Sequence, residues 1–186
     1  MSISAQKQLF SISDYHKMAE VGILKPDARV ELIHGEIIKM SPIKSAHAGM
    51  VNFLLEYLIL TLHRKYTVIG QNPIHIDQFS EPEPDVIIAS CREDRYRSAH
   101  PTAQDIHLLI EVADSSLEYD RSVKKELYAE AGIPEYWIVN LMDQQLEVFR
   151  DPENKQYRIQ EVLLPTGQVA CLSGDLILDL GELFKG

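Results

Sequence analysis

The stretch from Ile106 to Asn140 limits the possible folds of this chain more than any other part of its sequence. It starts with an apolar run, IHLLIEV, continues with RSVKKELYAEAG, which has the apolar spacing of a helix, and ends in a second apolar run, IPEYWIVN. This order predicts a strand, a helix and a second strand. Two charges stand where apolar side chains are expected, Glu111 in the first strand and Lys124 on the apolar side of the helix. We therefore interpret this unit as the frame of an active site.

The chain has 186 residues, which fits one domain spanning residues 1–186 around a single core. No stretch reaches the roughly 18 uninterrupted apolar residues of a membrane span. The start, MSISAQKQLFSISDY, lacks the basic run and apolar segment of a secretory signal. Cys91 and Cys171 are isolated from each other and form neither a metal-binding nor a disulfide pattern. We expect a cytoplasmic protein with no membrane partner.

The charge balance is acidic, with 18 Lys and Arg against 28 Asp and Glu and a net charge of −10. Such a charge weighs against non-specific attraction to nucleic acid. Binding to DNA would therefore need a local basic patch or a metal ion.

Two helices and a hairpin are predicted in the N-terminal half. Ser13 or Asp14 can cap a short helix over Tyr15–Val21. The pair His34-Gly35 joins two β-rich runs and suits a tight hairpin. The almost wholly apolar run from Ser45 to about Lys65 predicts a helix that is buried on much of its surface.

Glu31 and His47 are the candidate site residues of this half. Glu31 stands at the start of the first hairpin strand, where an exposed structural carboxylate is the commoner outcome. His47 falls on the inward stripe of the apolar helix, together with Val51, Leu54, Leu58 and Leu62. We favour a hydrogen-bonded, buried histidine, and a catalytic role remains the alternative.

The middle of the chain supplies a carboxylate and a basic loop. After two short strands, TVIGQ and IHI, the prolines of EPEPDVIIAS deliver Asp85 to the mouth of the apolar strand Val86–Ala89. The polar segment that follows is predicted to be a long loop carrying Arg92, Arg95 and Arg97. It is either a solvated surface loop or a contact for substrate phosphates. The C-terminal part predicts a hairpin, further strands and a short terminal helix.

Burial makes Glu111 and Lys124 informative as a pair. The residues around Glu111 are apolar on both faces of the predicted strand, as in a central strand of a sheet. An unpaired carboxylate buried there would cost several kcal/mol. It therefore needs a cation. The predicted helix, from about Asp120 to Ala131, places Lys124 beside the core. Without the neighbouring carboxylates, a lysine that extends its ammonium to water would be the favoured interpretation of this position.

Two strand carboxylates and a helix lysine together describe a type of hydrolytic site. Asp85 and Glu111 would repel each other in one pocket, and a divalent ion bound by oxygen ligands removes that cost. Mg²⁺ suits such a site because it keeps water ligands and accepts phosphate oxygens. The lysine then orients the attacking water or stabilises charge on the phosphate.

The order of these motifs resembles the Uma-two family of endonucleases, in the PD-(D/E)XK nuclease superfamily. The matching residues are Pro84-Asp85-Val86, Glu111-Val112, Asp120, Lys124, Tyr128, Gly132 and Glu135-Tyr136-Trp137, with VELIHGEIIKMSP and His47 before them. The likeness covers most of residues 10–160. Two residues after the glutamate the superfamily motif has lysine, and this chain has Ala113, so the resemblance requires Lys124 to reach the same place from the helix.

The resemblance implies an α/β (α+β) fold with a restriction-endonuclease-like core, a mixed central β-sheet flanked by helices. It implies Mg²⁺, or Mn²⁺, bound by Asp85, Glu111 and Val112, with Asp85, Glu111 and Lys124 as the catalytic residues. The secondary candidates that it adds are Glu31, His47, Asp120 and Tyr128.

Three functions follow as hypotheses. The first is hydrolysis of DNA phosphodiester bonds by a metal-activated water, in a homodimer, with Arg92, Arg95 and Arg97 joining Lys44 and Arg121 at the cleft. The alternative is a catalytically inactive dimer of the same fold that binds a partner. A weaker third hypothesis is hydrolysis of a small phosphorylated substrate at the same site.

Overall fold

The computed structural model describes residues 7–185, and they fold around a six-stranded sheet. Its strands have the order β3-β4-β5-β6-β7-β8. Their bounds are Tyr66–Gly70 (β3), Val86–Ser90 (β4), Ile106–Ala113 (β5), Glu135–Asn140 (β6), Gln145–Glu153 (β7) and Gln156–Leu163 (β8). Strands β5 and β6 are parallel and all other neighbours are antiparallel. The predicted mixed sheet flanked by helices is confirmed.

The N-terminal elements form a helix and a hairpin beside this sheet. Helix α1 spans Ile12–Glu20, and strands β1 (Val30–Ile33) and β2 (Glu36–Lys39) pair antiparallel, as predicted. The helix begins earlier than expected because Ser11, rather than Ser13 or Asp14, is its N-cap. Gly35, at φ 75°, suits the turn, and a Cβ there would lie 2.7 Å from the Cβ of Leu9.

Helix α2 covers one face of the sheet. It spans Ser45–Leu62, and its buried side chains Val51, Leu54, Leu58 and Leu62 pack on β4 and β5. Its length and mean hydropathy of 1.3 would also permit a membrane span by composition alone, but here its apolar stripe belongs to the core. A second hairpin, β9 (Gln168–Cys171) with β10 (Leu176–Asp179), and helix α5 (Leu180–Leu183) close this side.

The connection between β5 and β6 covers the opposite face. It consists of helix α3 (Leu117–Tyr119), a π-helical stretch (Asp120–Lys124) and helix α4 (Lys125–Glu130). The helical segment begins at Leu117, three residues before the predicted start at about Asp120, with Ser116 as its N-cap. Its end is as predicted, since Ala131 is the C-cap of α4. Gly132, the next residue, has φ 75°, and the amide of Ile133 donates to the carbonyl of Tyr128.

The sheet register brings the start of β4 beside the end of β5. Val86 pairs with Ile110, so Asp85, one residue before β4, lies next to Glu111 and Val112. The second short strand predicted at IHI is wrong, because this part of the chain forms only isolated bridges, between His75 and Thr102 and between Asp77 and Ser80. At this end of β4 and β5 a cavity lies between the first hairpin, the start of α2 and the crossover, and it holds the candidate site.

Candidate active site

A cavity of about 250 Å³ gathers most of the predicted site residues. Its walls come from the first hairpin, the start of α2, the approach to β4, the end of β5 and the π-helical stretch. The predicted residues that line it are Glu31, His47, Asp85, Glu111, Val112, Asp120 and Lys124. Tyr128, the remaining secondary candidate, lies behind them and donates a hydrogen bond to Glu111.

Glu111 is held by two donors from the crossover. It lies in β5, where it is 4% exposed, and its Oε1 accepts hydrogen bonds from Lys124 Nζ and Tyr128 Oη, both at 2.9 Å. Among the described residues, no donor reaches Oε2. One oxygen of this carboxylate therefore anchors the helical segment and the other is free for a ligand.

Lys124 joins Glu111 to the N-terminal hairpin. Its Nζ lies 3.2 Å from Oε2 of Glu31, a strand residue that the amide of Glu83 also contacts at 3.2 Å. Lys124 is 4% exposed, so the predicted alternative, a lysine extending to water, is wrong. The ammonium is buried between two carboxylates from different parts of the chain.

The buried charges of this cluster are unequal in number. Burial lowers the pKa of Lys124, but the carboxylates of Glu111, Glu31 and Asp120 outweigh it and hold that pKa well above its usual range. Lys124 is therefore a cation. Burial raises the pKa of Glu111, against the attraction of Lys124 and with added repulsion from Asp120, Asp85 and Glu31. The cluster therefore has more carboxylates than cations and retains a proton. A divalent cation can take the place of that proton.

Asp85 is held ionised by three donors. Oδ2 accepts from the backbone amide of Val112 at 2.9 Å and faces Nε2 of His47 at 3.1 Å, and Oδ1 accepts from the side-chain Nε2 of Gln71 at 3.1 Å. Burial would raise the pKa of Asp85, but His47, Val112 and Gln71 together lower it. Asp85 is therefore more than a turn residue before β4, because its carboxylate contacts residues from three other parts of the chain.

His47 is partly hydrogen-bonded. Nε2 faces Asp85, whereas Nδ1 is buried without a partner among the described residues. The favoured interpretation, a hydrogen-bonded and buried histidine, therefore holds for Nε2 and not for Nδ1. The first turn of α2 directs the ring into the cavity, where its contact with Asp85 places it in the candidate site.

Asp120 and Tyr119 come from the widened turn of the crossover. Asp120 Oδ2 accepts from the hydroxyl of Ser116 at 2.6 Å, and burial raises the pKa of Asp120 to about 6. Tyr119 also lines the cavity, and its hydroxyl is buried without a partner among the described residues. Sequence reasoning missed Tyr119 because α-helical spacing does not place it beside Lys124.

The arginines of the loop after β4 are absent from the cavity. Arg92, Arg95 and Arg97 follow the far end of β4, and its five residues separate them from Asp85 by about 17 Å of strand. Arg92 binds Asp94 and stacks on Tyr96. The predicted gathering of these arginines at the cleft is therefore wrong.

Two other basic residues, Lys44 and Arg121, were predicted at the cleft, and only Lys44 lies there. Lys44 lines the cavity and pairs with Asp114 at 2.8 Å, whereas Arg121 pairs with Glu147 on β7. Arg29 and Lys39 line the same cavity. Sequence reasoning missed these two because only the folded hairpin brings them beside Lys44.

The donor set fits a divalent ion with few protein ligands. Within residues 7–185, no three His, Cys, Asp or Glu side chains converge on one metal position. Two carboxylates remain, Asp85 and Glu111. An extended residue directs its N–H and C=O to one side, so the Val112 carbonyl faces the side of Asp85. Mg²⁺ is commonly bound through one or two carboxylates with several waters retained.

Known proteins share this fold and its sequence pattern. The crystal structure of a protein from Anabaena variabilis, described as a "putative nuclease belonging to DUF820", matches with a TM-score of 0.72 and 16% identity over 94% of this chain and 97% of that chain. No curated protein matches the chain. The family model of Uma2, described as "Putative restriction endonuclease", matches residues 12–180. The resemblance of the sequence motifs is thus confirmed, and the chain belongs to the Uma2 family.

Proposed function

We propose that this protein is a metal-dependent nuclease that hydrolyses phosphodiester bonds of DNA. The observation that carries the proposal is the convergence of Asp85, Glu111 and Lys124 on one cavity. Membership in a family described as a putative restriction endonuclease supports the same reaction class.

Asp85, the free Oε2 of Glu111 and the Val112 carbonyl are the groups that would hold Mg²⁺ or Mn²⁺. Such an ion supplies a nucleophilic water at neutral pH and neutralises phosphate charge. His47 supports this role indirectly, because its contact with Asp85 favours the ionised carboxylate. We assign His47 as a positioning residue.

Lys124 acts as a permanent cation in the proposed reaction. Because Glu31 and Glu111 hold it protonated, it cannot serve as a general base. Its charge instead stabilises the negative charge that builds on the phosphate oxygens. In the hydrolysis, the water oxygen bonds to phosphorus, one ester P–O bond breaks, and the departing oxygen gains a proton as the water loses one.

Three basic residues that line the cavity are the proposed contact for the DNA backbone. They are Arg29, Lys39 and Lys44, and Lys44 and Lys39 are exposed. In a chain of net charge −10, a local cluster of this kind is what phosphate binding requires. The distant arginines, Arg92, Arg95 and Arg97, would serve as a second contact along a longer DNA.

Cleavage of plasmid DNA in Mg²⁺ or Mn²⁺ tests the proposal. We expect wild type to nick the plasmid and Asp85→Ala and Lys124→Ala to lose at least 100-fold in rate. Lys125→Ala, one residue away on the helix and outside the cavity, is the matched control. Equal cleavage by wild type and both site variants would assign the activity to a contaminant and contradict the proposal. Cleavage of a small phosphodiester without cleavage of DNA would favour the third hypothesis.

A partner-binding dimer is the second candidate function, and the edge of the sheet favours it. Strand β8 lies at that edge, and Ile159, Val162 and the following Leu164 are exposed there. Exposed edge strands pair readily with other strands. Light scattering measures the oligomeric state, and an inactive module would show dimers without binding Mn²⁺ through Asp85 and Glu111.

A further inference from the structure

Two buried side-chain atoms lack a hydrogen-bond partner within residues 7–185, Oη of Tyr119 and Nδ1 of His47. Both residues line the cavity that holds the carboxylate cluster. Buried polar groups in folded proteins are nearly always paired, so an unpaired group needs an explanation. Their coincidence at one cavity indicates that a ligand completes their hydrogen bonding.

The Tyr119 hydroxyl is a donor without an acceptor. Burial raises the pKa of Tyr119 far above its usual range, and the carboxylate of Glu31 adds to the effect, so the hydroxyl keeps its proton. Yet none of Glu31, Asp120 and Glu111 accepts a hydrogen bond from it. This proton is available to an acceptor that enters the cavity.

The π-helical turn places Tyr119 on the same side of the crossover as Lys124. Residues i and i+5 lie about 140° apart around an α-helix of 3.6 residues per turn. The wider π turn, with i to i+5 hydrogen bonds, brings such a pair closer to one side of the helix, and π turns occur often at functional sites. Asp120–Lys124 is π-helical here, and Tyr119 and Lys124 both line the cavity.

We propose that Tyr119 is a further catalytic residue, whose hydroxyl donates a hydrogen bond to a non-bridging oxygen of the phosphodiester being hydrolysed. This assignment rests on the proposed nuclease function. The O–H bond of tyrosine stays intact, and the bonds made and broken at phosphorus are those described above. Because the hydroxyl is shielded from solvent, contact requires a small rotation of the side chain as the substrate enters.

Because the Tyr119 hydroxyl has no hydrogen bond in the native protein, the proposal predicts the direction in which its removal changes stability. A buried hydroxyl without a partner costs stability, so Tyr119→Phe should unfold at the same temperature as wild type or at a higher one. Tyr128→Phe should instead be destabilised, because it removes the hydrogen bond to Glu111. An activity loss in Tyr119→Phe would then be separable from a folding defect.

The experiment compares wild type with Tyr119→Phe and with Tyr57→Phe, a control whose hydroxyl binds the Ile177 carbonyl outside the cavity. Thermal unfolding, single-turnover plasmid cleavage in Mn²⁺ and anisotropy of a labelled DNA duplex in Ca²⁺ are measured for each. We expect Tyr119→Phe to cleave about 100-fold more slowly and to bind the duplex about fivefold more weakly, with an unchanged or raised unfolding temperature. Tyr57→Phe should cleave and bind as wild type does.

The outcomes separate this assignment from the proposed function. If wild type cleaves and Tyr119→Phe cleaves equally fast, or slows only with a lowered unfolding temperature, the assignment to Tyr119 is wrong and the nuclease proposal stands. If wild type binds the duplex in Ca²⁺ without cleaving it in Mn²⁺, the nuclease proposal fails, and the catalytic assignment fails with it. If wild type neither cleaves nor binds, both are wrong.

Discussion

The ammonium of Lys124 lies 2.9 Å from Oε1 of Glu111 although the two residues stand thirteen apart in the chain. The PD-(D/E)XK motif that the sequence resembles has lysine at the position of Ala113, and this alanine is fully buried. Ala113 belongs to the same buried apolar cluster as Leu127 and Ile133, so a charged side chain at this position would be buried among apolar groups. The crossover helix supplies the ammonium instead.

Lys124→Met should strongly destabilise the fold. Removing the cation leaves Glu111 and Glu31 buried without a partner of opposite charge, and breaking a buried pair costs about 3–5 kcal/mol. Urea unfolding in EDTA measures the change. Lys125→Met is the control, because its ammonium only approaches the ring of Phe149, at 5.1 Å, and its loss should cost about 1 kcal/mol. A loss below 1 kcal/mol for Lys124→Met would contradict the buried pair.

Local patterns explain why much of this fold could be predicted. The apolar runs of β5 and β6, the turn at Gly35 and the stop at Gly132 are signals carried by neighbouring residues. The carboxylate of Asp85 could be placed because a proline-fixed approach leads directly into β4. Such features need no knowledge of what lies across the sheet.

The remaining features depend on distant contacts. Glu31 reaches Lys124 because the hairpin docks through the bridge between Leu32 and Glu81, a pairing with no sequence signature. The arginines of the loop after β4 were misplaced because the course of a long loop depends on tertiary contacts. In the structure this loop follows the end of β4 that is opposite Asp85. The π-helical turn was missed because helical periodicity assumes 3.6 residues per turn throughout.

Mn²⁺ binding should depend on both strand carboxylates. We expect Asp85→Asn and Glu111→Gln each to weaken Mn²⁺ binding at least tenfold in calorimetric titration, because each removes a charged oxygen ligand. Asp175→Asn, at a carboxylate paired with Lys65 outside the cavity, should bind as wild type does. Unchanged Mn²⁺ affinity in both site variants would show that the metal binds at a different site.

His47→Ala should shift the pH dependence of Mn²⁺ binding. Burial raises the pKa of Asp85 and the contact with His47 lowers it, so removing the ring raises that pKa. Since metal ligands must be deprotonated, the midpoint of Mn²⁺ binding should move to higher pH. Titrations between pH 4 and 8 measure it, with the exposed His63→Ala as control. Identical midpoints in His47→Ala and wild type would show that the ring does not act through Asp85.

Asp120→Asn should flatten the pH dependence of stability. Burial raises the pKa of Asp120 to about 6 from 3.8, so the native state keeps a proton that the unfolded chain has lost. Its contribution to stability is therefore complete below about pH 4 and is lost as pH rises through 6. Between pH 5 and 8, wild type should lose about 1.4 kcal/mol from this group, and Asp120→Asn should not. Urea unfolding in EDTA tests this, and parallel slopes would refute it.

The salt dependence of DNA binding should identify the phosphate contacts. If Arg29, Lys39 and Lys44 each neutralise one phosphate, replacing any one with alanine should lower the slope of log affinity against log salt by about 0.9. Arg92→Ala and Arg95→Ala should leave the slope unchanged on a short duplex centred at the cavity, because they lie beyond the far end of β4. Fluorescence anisotropy in Ca²⁺ from 50 to 200 mM salt gives the slopes. If the slope fell only for Arg92→Ala and Arg95→Ala, the DNA would lie at the opposite end of the sheet, away from Asp85 and Glu111.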